Sequence, residues 1–269
     1  MHADPAAPRP RHRRARTALL PAVLAAALLS ACGSDDGPGG ADASGGDTVE
    51  LTVLAAASLT DVFDAMSGTY EDSHPGVTLR FSFAGSQELA AQVREGVPAD
   101  VLVTADTTTM DGVADLTEDP AVIARNALTL VTPPGNPAGV TGLDDLADPG
   151  LRLVLAAPEV PAGRYGRQIL DDLGIDARPD SEEANVRAVL SKVQLGEADA
   201  GLVYVTDATA AGEDAVTTVP IPEEDNVVAS YPAAALTEAG HPEEAAAFVD
   251  WLTTDDAQEI LNDAGFTGP

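Results

Sequence analysis

From Glu50 onward the chain alternates two patterns. Short apolar, β-prone runs at 50–57, 77–83, 100–104, 127–132, 151–157, 200–205 and 227–236 read as strands. Between them apolar residues recur at helical spacing. Leu59, Val62, Phe63, Met66 and Tyr70 share one helical face, as do Val186, Val189, Leu190 and Val193, and as do Phe248, Trp251 and Leu252 near the end. Strand and helix in alternation predict an α/β fold of mostly parallel sheets covered on both faces. No period typical of solenoids or propellers interrupts the pattern.

The loop Pro133-Pro134-Gly135-Asn136-Pro137 follows the 127–132 strand and predicts a crossing into a second lobe, with the 227–236 strand leading back. Lobe 1 is then expected over 49–130 plus 227–269, closed by a helical stretch at 242–266, and lobe 2 over 131–226. Two lobes joined by two hinge strands leave a cleft between them. The carboxyl ends of parallel strands are where α/β proteins bind ligands.

Before Val49 the pattern is different. Arg9, Arg11, Arg13, Arg14 and Arg16 precede an apolar run from Thr17 to Leu29, which is shorter than the roughly 20 residues a membrane span needs and reads as an export signal. Leu29-Ser30-Ala31-Cys32 resembles the lipobox of bacterial lipoproteins and contains the chain's only cysteine. That resemblance implies cleavage after residue 31, a lipid anchor on Cys32 and a protein held on the extracytoplasmic face of the cell membrane. Residues 33–48 have no large apolar side chain and read as a flexible Gly/Asp-rich tether, spanning roughly 22 Å on average.

Charge narrows the choice of partner. The 269 residues carry 14 basic and 44 acidic side chains, and without residues 1–32 the balance is 9 to 43, a net charge of −34 with Lys192 the sole lysine. Such a surface repels a phosphate backbone, and ten aromatic residues leave little for base stacking, so a nucleic-acid role is excluded. One cysteine excludes an internal disulfide or a Cys-rich metal centre. His74 and His241 lack partners at metal-ligand spacing and read as solvated.

Four strand-to-helix turns carry the candidate chemistry. In Ala55-Ala56-Ala57-Ser58-Leu59-Thr60-Asp61 and Phe83-Ala84-Gly85-Ser86-Gln87-Glu88 the serines fall at expected N-cap positions. In Val160-Pro161-Ala162-Gly163 proline sets the helix start, and in Asn185-Val186-Arg187 asparagine can cap. Helix starts leave unpaired N–H groups and a partial positive charge, so several that converge make an anion site without lysine or arginine. Periodicity alone does not show convergence, and each serine taken singly is explained by capping. Arg164 and Arg187, beside these turns, are expected to pair with carboxylates near them on helix surfaces rather than with an anion. Asp180-Ser181-Glu182-Glu183 reads as a solvated helix start, and Trp251 as core.

The phrases Thr52-Val53-Leu54-Ala55-Ala56-Ala57-Ser58-Leu59-Thr60, Phe81-Ser82-Phe83-Ala84-Gly85-Ser86, Pro98-Ala99-Asp100-Val101, Val160-Pro161-Ala162-Gly163, Asn185-Val186-Arg187, Gly201-Leu202-Val203-Tyr204 and Gly265-Phe266 resemble, in order, the molybdate-binding proteins of bacterial ABC importers. The likeness runs over 49–266. It implies a two-lobed periplasmic-binding-protein fold of type II and a non-enzymatic receptor, with a molybdate or tungstate dianion as ligand and no cofactor. Its partner would be the ABC permease of the importer, and the receptor would act as a monomer. Ser58 and Ser86 would donate from hydroxyl and backbone, Ala162 and Val186 from backbone N–H, and Tyr204 from its phenol. Molybdenum would be held only as the oxyanion, with no bare cation site. Gly85 and Asn185 stand where relatives often carry serine and aspartate, which affects the loops rather than the donors.

An all-donor set suits a fully deprotonated dianion. Hydrogen phosphate needs an acceptor for its proton, and leaving that proton unsatisfied in a dry site costs about 1–3 kcal/mol. Sulfate remains a rival ligand, separated from molybdate only by size. A secreted hydrolase using Ser58 or Ser86 lacks an activating histidine and a Gly-x-Ser-x-Gly elbow in the sequence. A structural lipoprotein with no small ligand is the third alternative.

Overall fold

The computed structural model describes residues 48–269. The leader expected over 1–32, its Cys32 anchor and the 33–47 part of the tether lie outside the described residues. Within them the chain runs β1 (Val49–Ala56), α1 (Thr60–Ser73), β2 (Val77–Ala84), α2 (Ser86–Arg94), β3 (Val101–Val103), α3 (Thr107–Asp111), β4 (Ala121–Thr132), β5 (Leu153–Ala156), α4 (Pro161–Asp172), β6 (Ser181–Glu183), α5 (Val186–Gln194), β7 (Ala200–Tyr204), α6 (Val205–Ala211), β8 (Thr217–Val219), β9 (Val228–Ala235), α7 (Pro242–Trp251) and α8 (Asp255–Asp263).

The strands pair in the order β2-β1-β3-β9-β4-β7-β5-β6, with β8 against β4 off this path. Ladders are parallel at both ends, where β1 meets β2 and β3 and where β5 meets β6 and β7. In the middle they are antiparallel: β9 runs against β3 and β4, and β4 runs against β7 and β8. The expectation of a mostly parallel sheet is therefore corrected to a mixed one. The cause is the chain path, because β4 carries it into the second half of the molecule and β9 returns it, so these two strands must oppose each other. β4 serves both halves, pairing with β9 over 121–127 and with β7 and β8 over 128–132.

Period-two alternation decides which helices cover the first half. Val53, Ala55, Val101, Val103, Ala233 and Ala235 pack on one side with Phe63, Met66 and Tyr70 of α1 and Phe248 of α7. Leu54, Leu102 and Ala234, one residue out of step, pack on the other side with Leu89 and Ala90 of α2 and Met110 of α3. Tyr70 meets Phe248 and Trp251 edge-on, with ring centroids 4.9 and 5.1 Å apart. Each such pair adds about 0.5–1.5 kcal/mol beyond the area it buries.

Three local expectations change. The helical stretch expected over 242–266 is two helices, α7 and α8, separated at 252–254. The acidic Ser181-Glu182-Glu183 is not a helix start but the edge strand β6. Its charges are met by Lys192 Nζ, 2.5 Å from Glu183, and by Arg167 on Glu182. Neither β6 nor β8 was visible in the pattern, since three polar-rich residues are too few to set a period. His74, expected to be solvated, stacks on Tyr70 with ring centroids 4.0 Å apart. Among the described residues no helix is long and apolar enough to cross a membrane.

Candidate functional site

The loops leaving β1, β2, β5 and β6 each turn into a helix, and their turns meet the end of β7 around one small hollow. Ser58, Ser86, Ala162, Val186 and Tyr204 all line it, and none of its lining residues is charged. Most of the rest of the wall is alanine, glycine or proline, which leaves backbone close to the hollow.

Each donor reaches the hollow by a different local route. Ser86 is the first residue of α2 rather than its N-cap, which is Gly85, and Glu88 N–H is the first in the helix to find a carbonyl, at Gly85. The Ser86 hydroxyl accepts from Ala105 N–H at 3.0 Å, so its own proton remains to be donated elsewhere. Ser58 is not an N-cap either. It sits inside a short 3-10 turn, 57–59, that precedes α1, and its Oγ lies 3.0 Å from the hydroxyl of buried Tyr231. When Tyr231 donates in that pair, the Ser58 proton is likewise free. The capping expectation fails at Ser86 because Gly85 already holds the N-cap position, and at Ser58 because the 3-10 turn displaces the start of α1 to Thr60, with Leu59 as its N-cap. That change frees the hydroxyls from service to their own helices.

The other two helix starts follow the sequence. Pro161 occupies the first position of α4 and Arg164 N–H is the first to bond back, to Val160 O at 2.9 Å, so Ala162 N–H precedes the internal ladder. Gly163 is required by close approach, since a Cβ there would lie 2.5 Å from Ala156 O. In α5 the Asn185 side chain caps Ala188 N–H at 3.0 Å and leaves Val186 N–H, one of the orphan first-turn donors, at the cavity wall.

Tyr204 differs from the rest. It is 1% exposed, and its hydroxyl is buried without a hydrogen-bond partner among the described residues. An unpaired buried polar group costs about 1–3 kcal/mol, which an incoming acceptor would relieve. Burial, with smaller contributions from Tyr231, Tyr165, Asp106 and Asp207, holds the phenol's pKa well above its ordinary value and keeps it a donor.

Charge lies just outside the wall. Arg164 donates through Nε to Asp106 Oδ2 at 3.1 Å, pairs with it again through its terminal nitrogen, and reaches Thr109 Oγ1 at 2.9 Å. Arg187 pairs with Asp61 and approaches Asp207 Oδ1 at 3.0 Å. Both arginines meet carboxylates, as the sequence suggested, but on distant elements rather than on their own helices. Asp207 is fully buried, and burial pushes its carboxyl up to about 6 despite the opposing pull of Arg187 and a hydrogen bond from Tyr204 N–H. Tyr231, Ala105, Asp106 and Asp207 support the site but were not anticipated. The one signal in the sequence was that an Asp-Thr-Thr-Thr segment, 106–109, offers a helix cap, and Asp106 Oδ1 does cap Thr109 N–H at 2.9 Å.

Among known proteins, the profile of the bacterial extracellular solute-binding proteins matches residues 51–267. The chain belongs to that family. It is similar to the molybdate-binding protein ModA of Mycobacterium tuberculosis H37Rv, with 40% identity over 94% of this chain and 97% of the relative. This bears out the resemblance drawn from the seven sequence phrases. Its fold is also that of the periplasmic molybdate-binding protein of Azotobacter vinelandii, at a TM-score of 0.72 and 22% identity over 81% of this chain and 99% of that one. The sulfate-binding protein SubI of M. tuberculosis H37Rv matches at 0.73 and 20% identity over 82% and 87%. At those identities the two structures show the two-lobed fold alone. Family membership places the chain among extracytoplasmic solute-binding proteins.

Proposed function

We propose that this chain is the extracytoplasmic receptor of an ABC importer and that it captures molybdate or tungstate in the uncharged hollow between two lobes. The observation that carries the reading is the buried Tyr204 hydroxyl, without a partner among the described residues, in a wall that otherwise offers helix-start N–H groups and the hydroxyls of Ser58 and Ser86, the latter already accepting from Ala105 N–H. Ser58 and Ser86 donate from lobe 1, taken as 49–130 plus 227–269, and Ala162, Val186 and Tyr204 from lobe 2, taken as 131–226. Contacts to both lobes make the closed form the tighter binder, so the ligand shifts the population toward the shape presented to a permease.

The donor set selects by protonation state. No wall residue carries a carboxylate to accept the proton of hydrogen phosphate, so fully deprotonated tetrahedral dianions are favoured. Molybdate is preferred over sulfate in this reading because of the 40% identical relative named for molybdate. A hydrolase is disfavoured by the partners of the two serines. Ser58 pairs with Tyr231 and Ser86 accepts from Ala105, while His74 and His241 do not line the hollow. The Cys32 lipid anchor, the tether and a monomeric state belong to the same proposal and rest on the sequence pattern.

Competitive calorimetry tests it. Molybdate should bind with one site per chain and displace sulfate at equal concentration. Sulfate winning that competition would overturn the choice of ligand, and no heat or thermal shift with any oxyanion would overturn the receptor reading.

A further inference from the structure

The mechanism so far leaves two arginines beside the site without a role. Arg164 stands two residues after Ala162 on α4, and Arg187 directly follows Val186 on α5. Neither lines the hollow, and each turns instead to a carboxylate on the first half of the molecule, across the cleft: Arg164 to Asp106, which begins α3, and Arg187 to Asp61 on α1. A third contact joins the same two halves, from Gln87 Nε2 of α2 to Ala184 O at 2.8 Å.

We propose that Asp106–Arg164, seconded by Asp61–Arg187, is a closure latch, a set of positioning residues that fix the affinity of the site without touching its ligand. The two pairs are unequal. Asp106 is 2% exposed and Arg164 33%, and the guanidinium uses two of its nitrogens on one carboxylate oxygen and extends to Thr109. Asp61 is 57% exposed, and its arginine is shared with buried Asp207, so this pair is screened and divided. Parting the lobes would break both pairs, and only the first loses a charge-assisted contact held largely out of water. The latch therefore acts on opening, which is the step that releases the ligand. It also cancels the arginine charges, leaving discrimination to the neutral donors.

This rests on reading the hollow as an oxyanion site, and the test keeps the two claims apart. Asp106→Asn retains an oxygen to cap Thr109 N–H while replacing the charged acceptor that faces Arg164 with an amide N–H that cannot accept from it, and Asp61→Asn is the matched change at the weaker pair. With molybdate as probe and tyrosine fluorescence as signal, Asp106→Asn should raise the dissociation rate about tenfold and Asp61→Asn about two- to threefold. Association rate and the molybdate-to-sulfate affinity ratio should stay at the wild-type value. Arg164→Ala combined with Asp106→Asn should be no worse than the more severe single variant, as expected of coupled partners and not of general destabilisation. In anion-free protein, small-angle scattering should give a larger radius of gyration for Asp106→Asn than for wild type. An unchanged dissociation rate in Asp106→Asn, a changed selectivity ratio, or additive effects in the double variant would each overturn the latch. A wild type that binds no oxyanion would overturn the reading of the hollow instead, and the scattering comparison would still decide whether the pair holds the lobes together.

Discussion

Replacing Tyr204 by phenylalanine should move affinity and stability in opposite directions. The phenol is 1% exposed and has no hydrogen-bond partner among the described residues, while its ring packs edge-on against Tyr231 at 5.8 Å between centroids. Phenylalanine keeps the ring and its contacts, so no cavity opens. What is lost is one donor to the ligand, and a hydrogen bond to a charged acceptor is worth about 1.5–3 kcal/mol. The dissociation constant for molybdate should therefore rise about tenfold to a hundredfold. What is gained is relief from burying an unpaired hydroxyl, worth up to about 1–3 kcal/mol. Urea unfolding of the anion-free protein should then give a midpoint equal to or above that of wild type, with the same slope. Calorimetry on the same preparation supplies the affinity. A variant that is less stable without anion yet binds molybdate as tightly as wild type would refute the reasoning, because it would make Tyr204 a packing residue with a hidden partner.

The other predictions separate binding from architecture. Ser86→Ala should weaken molybdate binding at least tenfold in calorimetry and also cost about 1–3 kcal/mol of stability in urea, because Ala105 N–H loses the buried acceptor it now has at 3.0 Å. Gly163→Ala should lower the melting temperature and abolish molybdate binding together, since the added methyl meets the Ala156 carbonyl at 2.5 Å where the start of α4 is built, at a cost of about 1–3 kcal/mol. Asp207 gives a signature in pH. Its folded-state carboxyl is raised from 3.8 to about 6 by burial, so the folded protein holds the proton more tightly than the unfolded chain between those values. Stability measured by denaturant titration should then fall as pH rises from about 4 to about 6, by at most roughly 3 kcal/mol from this group, and the slope should be absent in Asp207→Asn.

How much of this was written in the sequence can be judged residue by residue. Pro161 and Asn185 fixed the starts of α4 and α5 because both act through bonds within a few positions of themselves, and the structure has them where the spacing put them. The apolar faces of α1 and α7 were legible for the same reason, as local periods that only burial can satisfy. The serines show where local reasoning stops. Both looked like caps, and both hydroxyls are instead oriented by groups the chain supplies from far away, Tyr231 lying 173 positions from Ser58 and Ala105 lying 19 from Ser86.

The sequence by itself determined the kinds of element, the small-residue helix starts, the strongly negative net charge and the family, because each of these is carried by composition or by neighbours along the chain. Tertiary structure decided the rest. The antiparallel middle of the sheet follows from the return of β9 against β4, and the convergence of four helix starts on one hollow follows from how the strands are ordered. The pairing of Arg164 with Asp106, 58 positions apart, and of Arg187 with Asp61, 126 apart, exists only because two halves of the molecule face each other. Spacing encodes what a segment can bury or cap, whereas contacts across a cleft depend on the path of the whole chain.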